Sequence, residues 1–123
     1  MPNPDFTLLY VTSPAASQAF YAHLFGHEPV ESSPTFVMFA LPSGFKLGMW
    51  ARDRIEPAAA GSPGSVELVF AVSDAAEVQR VHHQWRANGL PIAQPPTEMD
   101  FGTTFTALDP DGHRLRVFAA PQA

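Results

Sequence analysis

Cysteine is absent from all 123 residues, which removes disulfide frameworks, zinc knuckles, iron–sulfur clusters and thiol nucleophiles together. Cations are scarce. Seven Lys+Arg, with Lys46 the single lysine, face twelve Asp+Glu for a formal charge of −5. A nucleic-acid binder displays a basic stripe, and here the cations are scattered singly, so no nucleic-acid partner is expected. Long apolar runs are missing too: none approaches the roughly 20 residues of a membrane span. No basic-then-apolar leader opens the chain, and the expectation is a soluble cytoplasmic protein with no membrane partner.

What is present describes a globular chain. Hydrophobic residues make up 46% and charged residues 15%, enough apolar surface for a core in one domain of ordinary size. Thirteen prolines are about twice the usual rate, and only Pro95 and Pro96 adjoin, so they punctuate elements rather than form a polyproline tract. Proline and arginine usage with a single lysine points to a GC-rich bacterial source.

The chain repeats itself. Residues 6–26, FTLLYVTSPAASQAFYAHLFG, match residues 67–89, ELVFAVSDAAEVQRVHHQWRANG, in the order of an apolar run ending in Val, a polar pair and a helical pattern closed by glycine. Residues 39–50 and 106–118 match likewise, each with Ala-Leu before a turn and an alternating strand after it. Ser13 suits an N-cap and Pro14 the first helical position. Ala16, Phe20 and Leu24 then predict a buried stripe, with Gly26 as the stop. Asp74 with Glu77 resembles a capping box, followed by a Val78, Val81, Trp85 stripe ending at Gly89. Asp109-Pro110-Asp111-Gly112 carries the favoured residues of a type I turn between strands near 103–108 and 113–119. Pro42-Ser43-Gly44 does the same between 35–41 and 45–51. The fold class is α+β, as two tandem βαβββ modules at about 4–52 and 65–120 joined by a linker near 53–64.

This arrangement, with VTSPAASQAFYAHLFG and FGTTFTALDPDGHRLRVF as its most specific pieces, resembles the vicinal oxygen chelate superfamily along nearly the whole chain. That group holds glyoxalase I-like lyases, extradiol dioxygenases and bleomycin-resistance-type binding proteins. The resemblance implies a single domain of residues 1–123, with two curved mixed sheets forming a ligand cup, and a homodimer. It does not fix the chemistry. Metal-dependent members supply His, Glu or Gln from the start of each half's first strand and from each half's last strand. Five residues before Val11 and Val72 stand Phe6 and Glu67, and four after Gly44 and Gly112 stand Gly48 and Arg116. One carboxylate beside an arginine is a poor donor set for a divalent ion, so no metal and no cofactor is expected. The five histidines, among them the adjacent His82 and His83, read as exposed or capping rather than as a metal pair. No Ser-His-Asp grouping, phosphate loop or dinucleotide fingerprint occurs, so no catalytic residue is named.

Strand alternation agrees with that register on its own terms. Leu9, Val11, Leu47, Met49, Leu68, Phe70, Val72, Leu115 and Val117 form a wholly apolar, helix-facing set. The opposite set is mixed, as suits a ligand cup: Phe6, Leu8, Tyr10, Lys46, Gly48, Trp50, Glu67, Val69, Ala71, Arg114, Arg116 and Phe118. Trp50, Tyr10, Phe6 and Phe118 would wall a planar aromatic guest, and the missing side chain of Gly48 would leave room for it. Core packing is the competing role for these aromatics. Phe39, Phe101 and Phe105 lie in strands whose facing the sequence leaves open, and the MDFG stretch around Phe101 reads as a loop able to close over a ligand. Glu67 and Arg116 are expected to form a bidentate pair where a metal would sit, the alternative being that Arg116 binds an anionic group on the ligand. The short LGMW match directs the resemblance to the phenazine-resistance branch, a metal-free binder of a small planar aromatic compound. Two other readings stay open: an enzyme of the same superfamily with displaced metal ligands, and a partner module whose cup its own side chains fill.

Overall fold

The computed structural model describes residues 2–122. Two compact units, Met1–Gly61 and Ser62–Ala123, each carry one helix and one four-stranded mixed sheet. In the first unit the chain runs through β1 (Thr7–Val11), α1 (Pro14–Phe25), β2 (Glu31–Ser32), β3 (Phe36–Ala40) and β4 (Lys46–Ala51). The sheet order is β1-β4-β3-β2, with β1 parallel to β4 and the remaining pairs antiparallel. The second unit repeats it as β5 (Glu67–Ala71), α2 (Ala75–Ala87), β6 (Ile92–Met99), β7 (Gly102–Leu108) and β8 (Arg114–Ala119), in the order β5-β8-β7-β6. Two βαβββ modules are therefore present, as expected.

The repeat extends to individual hydrogen bonds. Gly44 N–H donates to Leu41 O and Leu41 N–H to Phe45 O, each at 2.9 Å. Gly112 N–H donates to Asp109 O at 3.0 Å and Asp109 N–H to His113 O at 2.9 Å. Both turns thus hand the chain from one antiparallel strand to the next with the same geometry. Asp109 adds a side-chain brace, its Oδ1 accepting from the backbone N–H of Asp111 and His113 at 2.9 and 2.8 Å. His113 is buried beside this turn, a correction to the expectation of an exposed or capping histidine.

Alternation sets the faces of each sheet. Leu9, Val11, Leu47 and Met49 are buried in the first unit, as are Leu68, Leu115 and Val117 in the second. α1 packs on β3 and β4, and α2 packs on β6, β7 and β8. Phe39 and Phe105, whose facing the sequence left open, are fully buried on the helix side. Ser13 caps α1 by accepting from Ala16 N–H at 3.1 Å, and Gly26 stops it at φ 71°.

The stripe expected on α1 is displaced. Pro14, Ser17 and Tyr21 are buried there, whereas Ala16 is exposed and Phe20 and Leu24 are half-buried. The sequence PAASQAFYAHLF is apolar around most of its circumference, so more than one set satisfies the helical period. Packing selected the face carrying Tyr21, whose ring lies 5.3 Å from Phe25, itself edge-on to Phe39 at 5.5 Å. α2 keeps its expected face: Val78 and Trp85 are buried, and Trp85 meets Phe70 and Phe105 edge-on at 5.3 and 5.5 Å. Its capping box is only half made. Asp74 Oδ1 accepts from Glu77 N–H at 2.8 Å, but the Glu77 carboxylate turns to Arg80.

Candidate functional site

The face of each sheet turned away from its helix is where the two units diverge. In the first unit, strand register sets Tyr10 beside Trp50 and Trp50 beside Phe36, an aromatic row across β1, β4 and β3. The next row is Leu8, Gly48 and Met38. Tyr10 remains 38% exposed, Trp50 and Phe36 are half-buried, and Phe6, just before β1, is 45% exposed. Phe6 also borders a hollow of about 220 Å3 between residues 4–7 and 44–46. So much exposed apolar surface on one face of a small sheet is the kind that marks a binding surface.

Gly48 does not leave the open space expected of it. A Cβ there would lie 2.7 Å from Leu8 Cδ2 and 3.1 Å from Phe36 Cζ, so these side chains already cover the glycine. The absent side chain is used by the chain itself. Leu8 and Phe36 are the residues the sequence reading left out, although Leu8 stood on the correct face by alternation.

In the second unit the same face is polar and charged. The Arg116 guanidinium grips the Glu67 carboxylate with both edges, Nε to Oε1 at 2.8 Å and Nη2 to Oε2 at 3.0 Å. The expected bidentate pair is formed, and it is partly rather than fully buried, with side-chain exposures of 18% for Arg116 and 28% for Glu67. Nη1 of Arg116 donates to Gln94 Oε1 and Thr104 Oγ1, each at 3.2 Å. Thr104 in turn donates to Val117 O at 2.8 Å. Arg114 approaches Glu67 Oε2 at 3.9 Å, an ion pair beyond hydrogen-bond reach. The hydrogen bond from Arg116 holds the Glu67 carboxyl below its ordinary range, against the opposing effect of burial. The same bond raises Arg116 further above its ordinary value.

Phe101 stacks over this cluster, its ring centre 5.8 Å from Arg116 Cζ and 6.0 Å from the Phe118 ring. MDFG is no open loop. Met99 pairs with Gly102 across a tight hairpin whose tip is Asp100-Phe101. Gly102 sits at φ 130°, and a Cβ there would fall 1.9 Å from Ala119 O, so only glycine fits. Gln94, Thr104 and Thr106 were not foreseen as site residues. The alternation Thr104, Thr106, Leu108 in GTTFTAL was their signal, once the facing of β7 is known from its pairing with Arg116.

The donor set does not fit the divalent ion found in metal-dependent members of this fold. Phe6 and Gly48 bring no ligand atom, and both Glu67 oxygens are engaged by a guanidinium. Among the described residues no three His, Cys, Asp or Glu side chains cluster as a metal site. Burial pushes the His82 pKa down, helped by Arg86 and His83, and its ring lies edge-on to Phe105 at 5.1 Å.

Comparison with known proteins agrees with this fold. A solution NMR structure of an Agrobacterium tumefaciens protein is 51% identical, covers 99% of this chain and 100% of its own, and superposes with a TM-score of 0.91. A glyoxalase-related enzyme from Fulvimarina pelagi is 25% identical over 98% of this chain and 90% of its own, with a TM-score of 0.82. The phenazine antibiotic resistance protein EhpR of Enterobacter agglomerans is 28% identical over 93% of this chain and 89% of its own length. Residues 3–117 match the model of one family, and the chain belongs to the glyoxalase/bleomycin resistance protein/dioxygenase superfamily.

Proposed function

We propose that this chain is a metal-free small-molecule binding protein that sequesters a planar aromatic compound, conferring resistance of the antibiotic type, as a cytoplasmic homodimer. The observation that carries the reading is the row Tyr10, Trp50, Phe36 on the open face of the first sheet. Three rings in register offer a flat guest stacking and apolar burial without chemistry. The likeness to a phenazine resistance protein supports the same ligand class. Catalysis by Glu67 as a general base is disfavoured, because Arg116 lowers its proton affinity and occupies both of its oxygens.

Titration of the purified chain with phenazine tests this, following tryptophan emission in a Trp85→Phe background so that Trp50 alone reports. Saturable quenching with a fixed stoichiometry, and phenazine recovered unchanged, is the expected result. Trp50→Ala, read by equilibrium dialysis because no tryptophan then remains in that background, should weaken binding by up to about tenfold, since ring stacking on an aromatic contributes about 0.5–1.5 kcal/mol beyond burial itself. Conversion of the compound would move the protein to the enzymes of its superfamily. Light scattering on the same sample reads the dimer, and a monomer that binds fully would remove the homodimer from the proposal.

A further inference from the structure

The second unit holds a feature that binding of a neutral aromatic leaves unused. A hollow of about 310 Å3 is lined by Ala93, Gln94, Thr106, Arg114 and Arg116. Thr106 is 2% exposed, and its hydroxyl has no hydrogen-bond partner. A buried hydroxyl left unmatched costs stability, so natural structures keep few of them. Around it, two guanidinium groups meet one carboxylate, and Arg114 makes only a 3.9 Å approach to it. One positive charge is therefore in excess. Nη1 of Arg116 is served by two neutral acceptors at 3.2 Å, longer than its bonds to Glu67.

We propose that this hollow is a site, within the second unit, for the carboxylate of a small organic acid. One carboxylate oxygen replaces Gln94 Oε1 on Arg116 Nη1 and the other accepts from Thr106, with Arg114 supplying the balancing charge. A monoanion matches the single excess cation; a charge-assisted bond replaces the long one to Gln94, and Thr106 gains the acceptor it lacks. Gln94 lies on edge strand β6, where register breaks on either side of it. Its side chain is thus the partner most easily displaced. The site goes beyond the aromatic-binding reading of the first unit, and its chemistry can be probed separately.

The probe is benzoate against its neutral isostere benzamide, added to the full-length 15N-labelled chain. Benzoate should shift the Gln94 side-chain amide and the Thr106 backbone amide saturably, with an affinity at least tenfold above that of benzamide. Arg114→Gln should abolish that preference while leaving the melting temperature within a degree or two. Thr106→Val keeps the shape and removes the hydroxyl. It should melt no lower than the wild type and yet bind benzoate several-fold more weakly. Equal shifts from benzoate and benzamide, shifts that map elsewhere, or a Thr106→Val variant that melts lower would each overturn the site. Phenazine quenching of Trp50 is read in parallel. Quenching without a benzoate preference sinks the carboxylate site alone, and a benzoate preference without quenching sinks the planar-aromatic reading alone.

Discussion

Glu67 bonds Arg116 diagonally: its direct neighbour across the β5–β8 pairing is Arg114, and that of Arg116 is Val69. The carboxylate passes over the half-exposed arginine beside it to reach the one two positions on, whose guanidinium lies in a more buried setting. Glu67→Ala should therefore destabilise the fold by about 1–2 kcal/mol, between the values for exposed and fully buried pairs. Urea denaturation checks this, and a cycle with Arg116→Met should recover much of the loss, because the charge that remains, on Arg114, is half exposed to water. A variant as stable as the wild type would mean that Arg114 or water substitutes for Arg116.

The same pair sets an acid response. Glu67 is held below its ordinary value of 4.5 when folded, so the folded state binds fewer protons than the unfolded one in that range. Its stabilisation is fully present above 4.5 and is lost as pH falls through the lower folded value. The melting-temperature gap between wild type and Glu67→Gln should be constant at neutral pH and shrink in acid. A gap that widens in acid would contradict the direction of the shift.

At Gly48 the lost side chain is a packing requirement. An alanine Cβ would press on Leu8 Cδ2 at 2.7 Å and Phe36 at 3.1 Å, both flexible ends rather than backbone. Gly48→Ala should cost about 1 kcal/mol, the low end for an overpacked site. Leu8→Ala in the same chain should relieve it, giving a double variant more stable than the sum of the single effects predicts. Thermal melts of the three variants decide it, and strict additivity would place Leu8 elsewhere in solution.

The fold was legible because two independent signals coincided: alternation in the strands and repetition of the βαβββ order, including both glycine-bearing turns. The Glu67–Arg116 pair followed from the resemblance, whose metal-ligand positions were located by counting along those strands. The buried stripe of α1 was misplaced by one residue because a helix apolar on several sides leaves its buried face ambiguous. Gly48 misled for another reason. Alternation gives the face of a residue but not which neighbouring strand's side chain leans across it, and Leu8 and Phe36 come from two different strands. The facing of β7 was unreadable because threonine suits either side, so Thr104 and Thr106 stayed hidden.

Ser17 marks a second place where the sequence is not optimal for stability. It is fully buried on the packed face of α1, and its hydroxyl has no partner. Ser17→Ala removes an unmatched polar group and improves helix propensity. It should raise stability by about 1 kcal/mol, or about 3–5 °C in melting temperature. A drop instead would show that an ordered water holds the hydroxyl.

Gly102 couples the hairpin tip to the charged cluster. Its φ of 130° and the 1.9 Å approach of Ala119 O leave an alanine no conformation that fits. Gly102→Ala must open the end of the β7–β8 pairing, at a cost of about 3 kcal/mol. Phe101 adjoins it and would leave the Arg116 guanidinium, so the variant should also loosen Arg116 while Glu67 keeps its bonds. Hydrogen exchange separates the two effects: protection should fall at Gly102–Thr104 and at the end of β8, and stay near wild type at the Glu67 end of β5. If instead the whole second unit lost protection together, the hairpin would be part of the cooperative core rather than a local clamp on the site.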